Sequence, residues 1–415
     1  MIGRTQKWWL TTGFGGLLFF GSASAVLAED VVLGMSAAFK GPSRGLGIEL
    51  YRGSMAYFEY VNREKGGVHG HKIVVKAYDD GYDPALAVKN TVTLLENDQP
   101  FLLYGYVGTP TVTRVLPLLK LREQRQALLF FPFTGAQPQR LPPYDEFVFN
   151  LRASYQQETG ELVENFLTIG RKRIAVFYQM DAYGRSGWDG VRTGLAKHDL
   201  TIVEEATYRR GSPFPSDFSV QVALLRKAGA DAVICVGAYA ACGAFIRDAR
   251  DAGWDVPIAN VSFVGSENLL ALLLEHSKAQ GKDYSQNLIN SQVVPSYYRD
   301  DLPAVIEYRE WMDRYKPMPG LELVESGYQP LAYSYVSLEG FLNAKILVEV
   351  LNRMGQKLDK QRLREVVESI DHFDLGIDVP VSFGPKQHQG LQHVYFTTLK
   401  SGRFVGLEDW KQWAK

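Results

Sequence analysis

The chain has 415 residues, 46% of them apolar and 22% charged, with a formal net charge of −1. That length exceeds one typical hydrophobic core, so two lobes are expected. The composition is that of a globular protein in water, and a near-neutral charge without a basic block excludes nucleic acid as the main partner.

Residues 1–28 read as a secretion signal. Arg4 and Lys7 make a short positive region, Trp8 to Phe20 an apolar stretch, and Ser22 to Ala28 a run of small residues with Val26 and Ala28 suited to the positions before a cut. Cleavage after Ala28 would remove two positive charges and take the net charge from −1 to −3. The alternative is an uncleaved membrane anchor, against which Gly13, Gly15 and Gly16 and the cleavage-like residues speak. No Cys stands near the cut for a lipid anchor, and no later segment is apolar enough to span a bilayer, so the mature chain is expected free in the exported, periplasmic compartment.

From there strands alternate with helices. Val31 to Met35 reads as a strand, followed by a loop over Ala37 to Gly47 and a helix from about Glu49 to Lys65. Lys72 to Tyr78 is the second strand, and Asp79 to Pro84 turns into a helix over Ala85 to Asn97. The apolar run Phe101 to Tyr104 then stops at Gly105-Tyr106-Val107-Gly108-Thr109-Pro110-Thr111. The glycines permit turn geometry, and Thr109 and Thr111 place hydroxyls where a helix begins, a natural seat for an anionic group. Leu128 to Phe131 repeats the pattern and leads into Pro132-Phe133-Thr134-Gly135-Ala136.

After Leu151 the rhythm restarts. Strands are predicted over Lys172 to Tyr178, Leu200 to Tyr208, Asp231 to Val236 and Pro257 to Val261, with helices after Asp181-Ala182-Tyr183-Gly184, over Asp217 to Ala228 and over Ala244 to Ala252. Such alternation predicts an α/β protein with mostly parallel sheets covered by helices. Ligands in these sheets bind beyond the carboxyl ends of the strands, here on a cleft between lobes. The tail after Pro380 reads as strand, turn and strand, with Trp410 and Trp413 capping a core. Cys235 and Cys242 are expected as buried free thiols, although their spacing does not exclude a bond.

The chain resembles the periplasmic solute-binding proteins of the leucine/isoleucine/valine-binding type, with the type I two-lobed fold. The resemblance is carried by Gly41-Pro42, the run Asn62 to Lys72, Tyr78-Asp79-Asp80 before Asp83-Pro84, Pro117, Asp181-Ala182-Tyr183-Gly184, Asp217-Phe218 and His388-Gln389-Gly390-Leu391. It implies two Rossmann-like lobes joined by hinge strands near Asn150-Leu151-Arg152 and Gln292-Val293-Val294, with residues 29–150 and 293–370 in the amino-terminal lobe and 151–292 and 371–415 in the carboxyl-terminal lobe. It further implies a monomeric substrate-binding component of an ABC transporter, which closes on a small solute and delivers it to a permease and ATPase complex. The alternative is a soluble sensing partner of a membrane receptor or sensor kinase.

Carried over by residue, the resemblance puts the ligand carboxylate at Gly108, Thr109 and Thr111, with Phe133, Thr134 and Gly135 as a second contact loop. Tyr183 and Tyr239 match aromatic walls across the cleft, and Leu46 and Tyr106 complete the candidate lining. One departure stands out. Amino-acid binders of this type hold the ligand ammonium with an acidic residue in the loop after the strand near Pro257, which here reads Asn260-Val261-Ser262-Phe263-Val264-Gly265-Ser266 before Glu267. An ammonium closed into a cleft without a carboxylate costs several kcal/mol, so a small organic acid, aromatic or aliphatic, is the expected ligand.

Enzymatic signatures are absent from the sequence. The seven histidines form no HExxH pattern, no CxxC pair accompanies them, and there is neither a G-x-S-x-G elbow nor a phosphate-binding G-x-x-x-x-G-K-[ST] loop. His69-Gly70-His71 reads as a solvated turn. No enzyme activity, metal or cofactor is expected.

Overall fold

The computed structural model describes residues 1–6, 29–121 and 127–414; from residue 7 onward the predicted signal segment and its cut at Ala28 lie outside the described residues. The amino-terminal lobe begins with β1 (Val31–Ala37), α1 (Arg44–Glu64), β2 (Ile73–Asp79), α2 (Pro84–Thr93), β3 (Leu102–Tyr104), α3 (Thr109–Leu121), β4 (Leu129–Phe130) and β5 (Val148–Phe149). Its five strands pair in parallel in the order β2-β1-β3-β4-β5.

The carboxyl-terminal lobe runs through α4 (Tyr155–Thr168), β6 (Ile174–Gln179), α5 (Ala182–Ala196), β7 (Glu205–Tyr208), α6 (Ser219–Lys227), β8 (Ala232–Val236), α7 (Tyr239–Asp251), β9 (Ile258–Asn260), α8 (Ser266–Gln280) and β10 (Leu288–Gln292). Every residue of β6 and β8 is buried, as expected for inner strands of a sheet covered on both faces. The chain then returns to the first lobe with α9 (Pro303–Tyr315), α10 (Tyr335–Met354) and α11 (Leu363–Glu368), and ends on the second with β11 (Tyr395–Lys400) and β12 (Arg403–Gly406). These last two strands add antiparallel to β10, giving the order β12-β11-β10-β9-β8-β6-β7. Trp410 and Trp413 are buried there, Trp410 against Phe166 and Phe396.

The predicted alternation is present, with shifted boundaries. Helix α1 starts at Arg44, so Gly45, Leu46 and Gly47 are helical and do not belong to a loop. Helix α7 starts at Tyr239, five residues before the predicted start at Ala244. Only Glu205–Tyr208 of the long predicted strand joins the sheet, at its edge.

The lobes are connected by three crossings. Beside the two predicted at Asn150 and Gln292, a third runs alongside the first: Asn150 N–H donates to the His388 carbonyl (2.7 Å), and Gly390 and Leu391 N–H donate to the carbonyls of Asn150 and Leu151 (2.8 Å each). The expected assignment to the second lobe therefore gives way for residues 371–391. Phe383 packs 6.2 Å from Phe131 and 6.0 Å from Phe149 in the amino-lobe core, and the chain changes lobe after Leu391.

The returning helices are fused into the first lobe by a backbone contact. A Cβ at Gly53 of α1 would lie 1.7 Å from the Ser337 carbonyl oxygen, and one at Gly340 of α10 would lie 2.2 Å from that of Leu50. Only glycine lets the two helices cross so closely. Ser54 Oγ fills the crossing, 3.0 Å from the Gly340 carbonyl oxygen and 2.9 Å from the Tyr104 hydroxyl. No helix among the described residues is long and apolar enough to cross a membrane.

Candidate functional site

The carboxyl ends of both parallel sheets face each other, and the loops there meet in a closed cleft. On the amino side, Gly108 adopts φ +99°, and a Cβ on it would stand 2.1 Å from the Tyr82 ring. The next residue, Thr109, opens α3, and its Oγ1 lies 2.6 Å from Thr134 Oγ1. The first N–H groups of this helix have no intrahelical acceptor, which adds donors beside the two hydroxyls. Thr111 contributes differently from its expected role: its hydroxyl points back to the carbonyls of Val107 (2.5 Å) and Gly108 (2.8 Å). Gly135 supplies its carbonyl to the Tyr155 N–H at 2.7 Å.

Tyr106 is turned away from the cleft. Gly105, at φ +61°, breaks the alternation of the extended chain, so Tyr106 falls on the same side as Leu103, in the core beneath α2 and α3, where its hydroxyl lies 3.0 Å from Thr91 Oγ1. Its expected place in the lining is thereby corrected.

On the other side, the Asp181 carboxylate caps α5 by accepting the Tyr183 N–H at 3.0 Å. The Tyr183 hydroxyl donates to the Gly237 carbonyl at 3.2 Å. Tyr239, the first residue of α7, reaches across the cleft, its hydroxyl accepting the Gly45 N–H at 3.1 Å. Leu46 is fully buried beside it, close enough to Gly265 that a Cβ there would meet Leu46 Cδ2 at 2.7 Å.

Four residues that the sequence reading did not place in the lining complete it. Phe263, on a 3-10 turn after β9, is surrounded by rings from both lobes: Tyr82 (centroids 6.0 Å), Phe133 (5.2 Å), Tyr155 (6.4 Å) and Tyr183 (4.7 Å). Tyr82 accepts a hydrogen bond from Gln179 Nε2 across the cleft at 3.2 Å, and burial holds its hydroxyl well above the usual phenol range. The Arg152 guanidinium lies 4.7 Å from the Phe133 centroid and 5.7 Å from that of Tyr155. The signals were present but carried other meanings, since Arg152 marked a hinge and Phe263 marked a departure.

Behind these rings lies a buried polar knot. Glu158 accepts from Ser262 N–H (2.7 Å), Ser262 Oγ (3.0 Å), Ser291 Oγ (2.6 Å) and Arg152 Nη2 (3.4 Å). Arg152 Nη2 also bonds Ser262 Oγ, and Nη1 lies 3.4 Å from Glu339 on α10, whose carboxyl is pushed up to about 7 by burial. Among the described residues Arg152 Nε has no hydrogen-bond partner.

No carboxylate enters the ring cluster from the loop after β9. Glu267 is directed elsewhere: it accepts the Tyr335 N–H at 3.3 Å, at the start of α10, and burial pushes its carboxyl up to about 8. His69 and His71 face backbone carbonyls, His69 Nε2 at 3.2 Å from Asn352 O and His71 Nδ1 at 2.6 Å from Glu29 O. Cys235 and Cys242 are buried free thiols.

Two parallel α/β lobes, joined by three crossings and meeting over the carboxyl ends of their strands, define a two-lobed binding protein of type I. The chain belongs to the periplasmic binding protein family, whose sequence profile matches residues 30–403. It is 26% identical over 291 residues to "Leu/Ile/Val-binding protein homolog 3" of Brucella melitensis, covering 68% of this chain and 76% of the relative. The crystal structure of a possible leucine/isoleucine/valine-binding protein from Rhodopirellula baltica superposes with a TM-score of 0.80 at 30% identity, covering 93% of this chain and 98% of that one. A branched-chain amino acid ABC transporter protein from Thermus thermophilus with bound valine gives a TM-score of 0.76 over 92% of this chain and 96% of that one; at 17% identity this likeness shows the fold alone.

Proposed function

We propose that this chain is the periplasmic substrate-binding component of an ABC transporter, capturing a small carboxylate solute by lobe closure and passing it to a membrane permease without chemical turnover. The family, and relatives named for binding leucine, isoleucine and valine, support the solute-binding role. The ligand reading rests on one observation above the others: the loop after β9 presents the Phe263 ring to the cleft, and Glu267 bonds elsewhere. A zwitterionic amino acid would bring an ammonium that the loop after β9 does not meet with a carboxylate, and an unpaired buried ammonium costs several kcal/mol. The Thr109–Thr134 hydroxyl pair at the start of α3 suits a carboxylate. Closure excludes water and strengthens these contacts.

A thermal-shift panel on the full chain tests the reading. A ligand at 100 times its Kd stabilises the folded state by about 2.7 kcal/mol, seen as a higher Tm. Organic acids are expected to raise Tm, and replacing Thr109 and Thr134 by alanine to weaken them. A strong response to leucine and valine with none to organic acids would falsify the carboxylate reading.

A further inference from the structure

We infer that Phe133 and Phe263 are the two jaws of a slot for a flat ring, so that the solute is an aromatic carboxylate; this rests on the carboxylate reading of the cleft and narrows it. Phe133 comes from the amino lobe, after β4, and Phe263 from the carboxyl lobe, after β9. Their rings are 5.2 Å apart and inclined by 30°, the most nearly parallel of the four ring pairs around Phe263. Tyr155 and Tyr183 meet Phe263 at 84° and 57° and brace it from its own lobe.

When the lobes part, Phe263 leaves with Tyr155 and Tyr183, and Phe133 with Tyr82. Two opposed ring faces are then exposed. A guest touching both needs carbon contacts of about 3.5 Å on each side, so jaws roughly 7 Å apart. That is a modest widening of the present 5.2 Å, which a planar ring exploits and a puckered one does not. Arg152 positions both jaws, its guanidinium 4.7 Å from the Phe133 centroid while Nη2 holds the Ser262 hydroxyl next to Phe263. The Thr109–Thr134 pair, on the loops flanking Phe133, takes the carboxylate at the rim of the slot.

Benzoate and cyclohexanecarboxylate share charge and approximate size and differ in planarity and π face, so titration calorimetry of the full chain with each, and with leucine, is decisive. Benzoate is expected to bind several-fold to about tenfold tighter than cyclohexanecarboxylate, the scale of aromatic pairing beyond area burial. Phe263→Leu keeps an apolar side chain of similar bulk and should bring that ratio to about one, with the variant's Tm reporting its fold. Benzoate binding no tighter than cyclohexanecarboxylate, or not at all, overturns the jaw, as does a ratio unchanged in Phe263→Leu. Equal binding of the two acids overturns the jaw alone and leaves the carboxylate reading standing. Binding of leucine and neither acid overturns both.

Discussion

Two buried regions meet at the cleft, and they are built of opposite materials. The ring cluster of Tyr82, Phe133, Tyr155, Tyr183 and Phe263 draws side chains from both lobes. The knot around Glu158 lies behind it, and its main bonds, to Ser262, Ser291 and Arg152, stay on the carboxyl-lobe side. Opening the cleft separates rings, whose loss is proportional to area and carries no unpaired charge. It leaves the carboxylate knot whole, apart from the Arg152–Glu339 approach. Under the proposed lobe closure, each cycle would not expose the buried charges, because they are kept within one lobe.

The sharpest way to break this contrast is Glu158→Ala. It leaves the Arg152 charge buried with one of its two carboxylate partners gone and strips the Glu158 acceptor from two serines, so a loss of about 3–5 kcal/mol is expected in denaturant unfolding, with or without solute. Next comes pH. Glu267 has a folded pKa of about 8 against an ordinary value of 4.5, so the folded state holds the proton more tightly. Its stabilising contribution is complete below pH 4.5 and is lost as pH rises through about 8. Glu267→Gln should remove its share of the decline, up to about 1.4 kcal/mol per pH unit, and leave the part due to Asp80 and Glu339, both pushed up to about 7 and so spent by a lower pH. The variant is expected to be more stable than the parent at pH 9, with little difference at pH 4, measured by urea unfolding.

Phe133→Leu addresses the ring side. Its stability cost should be under about 1.5 kcal/mol, while solute affinity falls by more than stability implies, since a jaw is lost. The smallest effect is expected from Tyr239→Phe, which removes the acceptor of the Gly45 N–H across the cleft. Closure weakens by about 1 kcal/mol, read as roughly fivefold lower affinity with an unchanged unliganded Tm. Equal losses of stability and affinity in both ring-side variants would dissolve the distinction between the two regions.

The alternation of strands and helices was legible because inner parallel strands such as β6 and β8 are continuous apolar runs between turn residues. Boundaries failed where tertiary contact overrides local preference. Gly45 and Gly47 look like loop residues, yet they lie in α1, whose start is fixed by packing under the cleft. The site was half legible. The turn at Gly108, with Thr109, Thr134, Tyr183 and Tyr239, announces itself by residue type at strand ends. Tyr106 misled because a residue just past a strand end can face either way, and here it lies under α2 and α3. Phe263 and Arg152 could not be placed, because a phenylalanine after a strand or an arginine at a crossing gains its role from partners distant in the chain, such as Ser262, 110 residues from Arg152, and Phe133, in the other lobe from Phe263.

The backbone contact between Gly53 and Ser337 also sets an order of assembly. The amino lobe cannot finish its core until α10 has been synthesised, and the second sheet lacks β11 and β12 until the chain has come back from the first lobe. Both lobes therefore depend on contacts of long sequence separation, which form slowly and late. In a nascent chain of this kind neither lobe becomes a finished body before its returning segment has emerged.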